Sequence, residues 1–347
     1  MQQALPEIFN ETAAAAYAEF PCELRDLVIL LVPDTETPVF VSPEIAEHLT
    51  KSVAAVKKVL AEVTDILHKK VWSALASTEY FIDRKRINLI AVNHEIRRAF
   101  FSERYTPEMR FAYILDHEIG HHILQNGMFS LGVSAQQSES AADAFAILRH
   151  IQRYGKDTDN AGGEAGRVAH RLVLCGDSEH YSSDSIERAI EYANEIDISG
   201  LSLRETAALA EKISRECYFR DDTRLNQICD AFLPVQEACK AQIGDVREIT
   251  EKFYGEDKEA YALFCRETLA VMKNRQNDPD IFKARKRFLS YAPVKKFMIE
   301  SAAAETDSYW KDALSFINAA DPKNILTRTT PSIPPRRGIK SLWRNPR

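Results

Sequence analysis

Two histidines and a glutamate stand together in the segment His117-Glu118-Ile119-Gly120-His121. On an α-helix, side chains four residues apart lie one above the other on the same face. His117 and His121 can therefore offer two imidazoles to one metal ion. Glu118 sits beside the first of them, where a carboxylate can take a proton from a metal-activated water. The chemistry that such a set performs is metal-assisted hydrolysis, with the peptide bond as its foremost target. With 9 His in 347 residues, random placement gives about 0.02 matches to H-E-x-x-H in the whole chain. The competing reading is a helix that happens to carry two surface histidines, and the flanking sequence bears on the choice.

The flanks predict a helix. Thr106-Pro107-Glu108 combines an N-cap residue, a proline at the first helical position and an acid in the first turn. Asn126-Gly127 reads as the stop, with glycine free to turn left-handed. Between them Met109, Phe111, Ala112, Ile114, Leu115, Ile119, Ile123 and Leu124 are apolar enough for a largely buried helix. Gly120 costs about 1 kcal/mol of helix propensity relative to alanine, and a residue that small lets another element approach closely.

Catalytic zinc takes three protein ligands and a water in most sites, so a third ligand is needed. The extended pattern H-E-x-x-H-x-x-G-x-x-H fails here, because Leu124 stands in place of its glycine and Gly127 in place of its third histidine. The alternative is a glutamate from a following helix. Ser134-Ala135-Gln136-Gln137 has the form of a capping box, with Ser134 as N-cap, and Gly155 ends that helix. Within it, Glu139-Ser140-Ala141-Ala142-Asp143 reads E-x-x-A-D, with Glu139 and Asp143 on one face. Ala141, Ala142, Ala144 and Ala146 keep the helix slim enough to approach the first one.

Over roughly residues 80 to 155 the chain resembles the glutamate-type zincin metallopeptidases, which pair an H-E-x-x-H helix with a second helix bearing E-x-x-A-D. It looks most like small bacterial metallopeptidase domains of unassigned substrate. The resemblance implies Zn2+ as cofactor, Glu139 as the third zinc ligand and Asp143 as a carboxylate that orients a ligand imidazole. It implies a metalloendopeptidase acting on a protein or peptide substrate, with Glu118 as general base. Peptidases of this type also use a downstream His or Tyr to stabilise the developing oxyanion. His180, in Asp177-Ser178-Glu179-His180-Tyr181-Ser182-Ser183-Asp184, is the candidate. The competing reading of that segment is a plain loop before a helix near Ser185, capped by Ser183 or Asp184. In zincin folds the strand ahead of the active helix is an edge strand that holds substrate by backbone pairing, and residues 87–92 are the expected counterpart.

The remaining histidines fit less well. His122 points about 100° around the helix from His121. His150 shares the Glu139/Asp143 face but lies eleven residues further on, about 16 Å along the axis. His94-Glu95 opens a second H-E pair, but Arg98 replaces its second histidine. His48, His68 and His170 fall in helical stretches and read as packing or surface residues.

The elements that must position these groups form an α+β fold: a zincin-like catalytic unit, with a small sheet, an active-site helix and a ligand helix, followed by a mostly α-helical C-terminal half. Leu27-Val28-Ile29-Leu30-Leu31-Val32 is a buried-strand run, Val39-Phe40-Val41 a second short strand, and Ser42-Pro43-Glu44 opens a helix to about residue 70. Tyr80-Phe81-Ile82 and Ile87-Asn88-Leu89-Ile90-Ala91-Val92 flank Asp83-Arg84-Lys85-Arg86 as a hairpin. Further helices are expected at 164–175, 185–196, 202–219 and 223–241, and onwards to 318. The expected domains are 1–200 for the zincin-like unit, 201–320 for a helical domain and 321–347 for a basic, proline-rich, disordered tail.

Composition sets bounds. Hydrophobic residues make up 45% and charged residues 28% of the chain, as in globular proteins. No apolar run approaches 18 residues, so no membrane span is expected. Residues 1–20 lack a basic start and a long apolar core, which argues against a secretory signal. Six cysteines without a C-x-x-C pair read as free thiols in a reducing compartment. Cytoplasm is the expected location, and leaderless export stays open. The net charge of −6 argues against nucleic-acid binding by the body. The stretch 321–347 carries seven Lys and Arg against one Asp, which leaves −12 for the rest. That tail can bind an acidic partner or simply aid solubility. Two further readings stay open: a zinc-binding regulatory protein without proteolytic activity, and an interaction module in which the metal is only a staple.

Overall fold

A computed structural model describes residues 5–32, 39–41, 45–47, 74–82, 84–93, 106–125, 131–155 and 177–230, with isolated positions between 51 and 65. Its architecture is α+β. In chain order the elements are α1 (Leu5–Glu19), β1 (Leu27–Val32), β2 (Val39–Val41), β3 (Ala74–Ile82), β4 (Lys85–Asn93), α2 (Pro107–Ile123), α3 (Ala135–Tyr154), α4 (Ser183–Glu195) and α5 (Leu203–Cys217). Most of the helix expected after Ser42 lies outside the described residues, as do 164–175 and everything beyond 230. By its contacts the chain divides into two compact units, 1–169 with 179–222 and 170–178 with 223–347. In the second unit the described residues are helical over 223–230, and Leu225, Ile228 and Cys229 are buried.

The sheet has four strands in the order β2-β1-β4-β3. β3 and β4 form the expected hairpin. Ile82 pairs with Lys85, so the turn is two residues long, and Arg84 takes the positive φ of 70° that such tight hairpin loops demand. β1 runs parallel to β4, with Val28 beside Leu89 and Ile29 beside Ile90, and antiparallel to β2.

This order corrects one expectation. Residues 87–92 do not form an edge strand, because β4 is paired on both sides, with β1 and β3. Ile87, Leu89, Ile90, Ala91 and Val92 are all buried, so both of its faces are covered, as an interior strand requires. Among the described strands the edges are β2 and β3.

The helices form as their caps dictate. Thr106 caps α2, its hydroxyl accepting from the Met109 N–H at 3.3 Å, with Pro107 in the first turn. Ser134 caps α3 by accepting from the Gln137 N–H at 3.2 Å, and Gly155 closes it at φ 86°. α5 has a complete capping box between Ser202 and Glu205. The core runs through Phe9 and Ala13 of α1, Phe111 and Leu115 of α2, Ala141, Phe145 and Leu148 of α3, and Ala207 and Ala210 of α5.

Two polar devices tie the helices to one another. Asp116 of α2, buried, pairs bidentately with the Arg153 guanidinium of α3, whose Nη2 also donates to Thr12 Oγ1 of α1 at 3.1 Å. Burying both charges is tolerable because each has a well-placed partner. Gln152 of α3 donates to the carbonyls of Ile198 and Leu201 and to Thr206 Oγ1, joining the ligand helix to the start of α5.

Candidate metal centre

The H-E-x-x-H segment forms the last two turns of α2, and E-x-x-A-D lies in the first half of α3. The two helices run antiparallel: His117 meets Asp143, Gly120 meets Ala142, and His121 meets Ser138. The close approach has a visible cause. A Cβ built on Gly120 would stand 3.2 Å from the Ala142 Cα and 3.4 Å from the Phe145 ring, so only glycine fits this crossing without displacement. Ala142 supplies the matching small surface.

This crossing brings the donor groups of three side chains together. His117 Nε2 and His121 Nε2 are 3.2 Å apart, His117 Nε2 lies 3.3 Å from Glu139 Oε2, and His121 Nε2 lies 3.4 Å from Glu139 Oε1. Around a tetrahedral zinc with ligand bonds near 2.0–2.1 Å, donors stand about 3.3 Å from one another. Glu139 faces the two rings through different oxygens, and these pairwise separations are close to those around an ion of that size; the donor set is one that zinc accepts. Among the described residues, His117, His121 and Glu139 form a group that could hold a metal ion.

Each imidazole is oriented through its other nitrogen. His117 Nδ1 donates to Asp143 Oδ1 at 2.8 Å, and His121 Nδ1 is 3.0 Å from Ser138 Oγ. Such bonds fix ring orientation and leave Nε2 free to ligate. Asp143 takes two more donors, Tyr113 Oη at 2.8 Å on Oδ1 and the Ser182 hydroxyl on Oδ2. Ser182 is the N-cap residue of α4, yet its side chain makes no cap bond. A hydroxyl cap is worth about 1 kcal/mol, and here that hydroxyl serves Asp143 instead.

The electrostatics follow from burial and from these contacts. Burial would keep Glu139 protonated, but His121 and His117 outweigh it and lower its pKa to about 2. Asp143 is likewise held below the usual carboxylate range, the cost of burial being offset by the charge and hydrogen bond of His117 and by the Ser182 hydroxyl. Burial lowers His121 to about 4, so it is a neutral ligand near pH 7. Burial opposes protonation of His117 too, but Asp143 and Glu139 prevail and raise it well above its ordinary value. In the metal-free site that proton supplies the positive charge the carboxylates call for, and a cation would displace it.

Glu118 is buried, and its Oε2 has no hydrogen-bond partner. Burial raises its pKa to about 7, with the charges of His117, Glu139, His180 and Asp143 all close enough to act on it. His180 comes to the same place from the loop before α4, its Nε2 3.7 Å from Glu139 Oε2 and its side chain 36% exposed. That loop is held on α3: the Tyr181 carbonyl accepts from Gln136 Nε2 at 2.5 Å, and the Tyr181 ring is buried. α4 begins at Ser183, capped by Ser182 rather than by Ser183 or Asp184.

The other histidines stand apart from the donor group. His122 lines a cavity of about 230 Å³ with Phe20, Leu124 and Arg204, and burial lowers its pKa to about 3. His150 is buried with its ring 4.8 Å from that of Tyr154. His48, His68, His94 and His170, like Asn126 and Gly127, lie outside the described residues. Sequence reasoning missed Ser138, Tyr113 and Ser182. Ser138 and Tyr113 had a signal, since they sit one residue before Glu139 and one turn before His117. Ser182 had none beyond its place two residues after His180.

No described helix is long and apolar enough to cross a membrane, and Cys22 and Cys217 are free thiols. No protein-family model matches this chain, and neither a curated protein nor a solved structure matches it.

Proposed function

We propose that this chain is a zinc-dependent peptidase of the glutamate-type zincin kind. The observation that carries the reading is the buried, unpartnered carboxylate oxygen of Glu118 next to the His117–His121–Glu139 group, whose two Nε2 atoms lie 3.2 Å apart and each within 3.4 Å of a Glu139 carboxylate oxygen. A purely structural metal site has no use for such a carboxylate, whereas hydrolysis needs a base. Zinc, when bound, polarises the scissile carbonyl and makes a water acidic enough to give up its proton near neutral pH. His117, His121 and Glu139 hold it, and Asp143 and Ser138 keep the two rings in register. Glu118 takes the proton of the attacking water and delivers it to the departing amine. His180, partly exposed at the mouth of the site, donates a hydrogen bond to the oxygen of the former carbonyl as charge builds there.

The test is metal content and turnover together. Purified protein should carry about one equivalent of zinc, as a three-ligand site demands. Glu118→Gln should retain the metal and lose hydrolysis of a casein or peptide-library substrate. Metal-free protein at full stability, or an active Glu118→Gln, would overturn the assignment. The same variant, immobilised, should trap the substrate whose identity the fold does not specify.

A further inference from the structure

The hydroxyl of Ser182 has been taken out of its ordinary role. It stands at the N-cap of a 13-residue helix, a place where serine normally bonds back to the first turn, and it makes no such bond. Instead it donates to Asp143 Oδ2, while Asp143 Oδ1 receives His117 Nδ1 and Tyr113 Oη. Asp143 therefore has both oxygens engaged, one facing the ligand imidazole and one facing the loop that carries His180. Ser182 is 1% exposed, so no solvent molecule can readily replace its hydroxyl. The loop has no slack at this point. The Tyr181 carbonyl accepts from Gln136 and Ser140 of α3, and Gln136 Oε1 accepts from the Phe219 N–H.

We infer that Ser182 is a positioning residue for the metal, acting through Asp143 on His117. The physical ground is directional. A carboxylate with one oxygen anchored cannot rotate about its Cβ–Cγ bond, so its other oxygen stays aimed at His117 Nδ1 and the imidazole keeps its Nε2 on the donor triangle. Removing this anchor leaves the carboxylate held at Oδ1 alone, by Tyr113 and His117, and lets it tilt about that end. Partners of ligating histidines typically change metal affinity by 10–100-fold when altered, and Ser182 lies one bond further out. The inference rests on the metal-site part of the proposed function and not on proteolysis.

The experiment is a zinc affinity measurement by competition with a chromogenic chelator, on the full chain, for wild type, Ser182→Ala, Asp143→Asn and the double variant. Cobalt(II) absorption provides a second readout of ligand geometry. Ser182→Ala should weaken zinc binding by about 3–10-fold, a fraction of the outer-shell range, and should shift the cobalt bands. In the Asp143→Asn background it should add nothing, because its route to the metal is already cut. Tyr113→Phe, which removes the other hydroxyl on Asp143, serves as a second variant should Ser182→Ala fold poorly, and should weaken zinc binding in the same way. An unchanged zinc affinity in both Ser182→Ala and Tyr113→Phe overturns the inference. So does full additivity of Ser182→Ala with Asp143→Asn. Wild-type protein that binds no zinc refutes the metal-site reading itself, a separate outcome.

Discussion

Gly120→Ala sets two known effects against each other at one atom. Alanine favours a helix interior over glycine by about 1 kcal/mol, so by propensity alone α2 would gain. The added methyl, however, meets the Ala142 Cα at 3.2 Å and the Phe145 ring at 3.4 Å, where relaxed carbon contacts stand at about 3.5–4.0 Å. The nearer atom is backbone in the middle of α3 and cannot swing aside. Relief therefore requires α2 and α3 to part by about 0.4 Å, and overpacking of this kind costs about 1–3 kcal/mol. The net expectation is a loss of about 1 kcal/mol in metal-free stability. The metal site should suffer more, because its donors come from both helices. Adding that displacement to the 3.3 and 3.4 Å separations between the histidines and the two Glu139 oxygens draws Glu139 away from the imidazoles by about 0.4 Å, at a site where ligand distances hold to within about 0.2 Å. Zinc affinity should fall by about tenfold or more. Urea unfolding of the metal-free protein and chelator competition of the zinc form measure the two terms separately. A Gly120→Ala protein that is more stable than wild type and binds zinc equally well would refute the close-approach argument.

Two further expectations concern the scaffold. Arg153→Met removes the bidentate partner of buried Asp116 and leaves it only the Arg149 guanidinium at 3.9 Å, which should cost about 2–3 kcal/mol, whereas the double change Arg153→Met with Asp116→Leu should recover part of that loss in urea unfolding. His150 is buried and its pKa is lowered from 6.5 to about 4 by that burial. The unfolded chain therefore takes up a proton that the folded one refuses, and stability present above pH 6.5 is lost as pH falls towards 4. Between about pH 7 and pH 5 this amounts to about 2 kcal/mol; His150→Phe should flatten the acid limb of the stability curve by that amount, and an unchanged limb would show that another group governs it.

Local signals were legible and long-range pairings were not. Thr106-Pro107, Ser134 and Gly155 mark helix ends by chemistry that acts over three or four residues, and the helices begin and end close to them. The hairpin at Asp83-Arg84 and the apolar run of β1 are equally local. Assigning residues 87–92 to a sheet edge failed because strand order depends on which distant segment pairs with β4. The sequence held a hint in the nearly unbroken apolar run Ile87-Asn88-Leu89-Ile90-Ala91-Val92, which suits a strand covered on both faces. At the site, the i,i+4 spacings put His117 with His121 on α2 and Glu139 with Asp143 on α3. The anchoring of Asp143 by Ser182, and the Asp116–Arg153 clamp, come from contacts across 39 and 37 residues, beyond the reach of any short pattern.

The pairing of β1 with β4 bears on the order in which the molecule assembles. Val28 and Leu89 are neighbours in the sheet yet lie about sixty residues apart in the chain, and they run parallel, so a long loop must close before the first bond between them forms. α2 and α3 are joined by the short connection between Ile123 and Ala135. Closing that connection is entropically cheaper, and contacts of short sequence separation form early. His117, His121 and Glu139, the group that could hold a metal ion, all belong to this early pair. The His117–His121–Glu139 corner can thus come into register while the sheet is still open, and the strands then close against a helix pair whose side chains already meet.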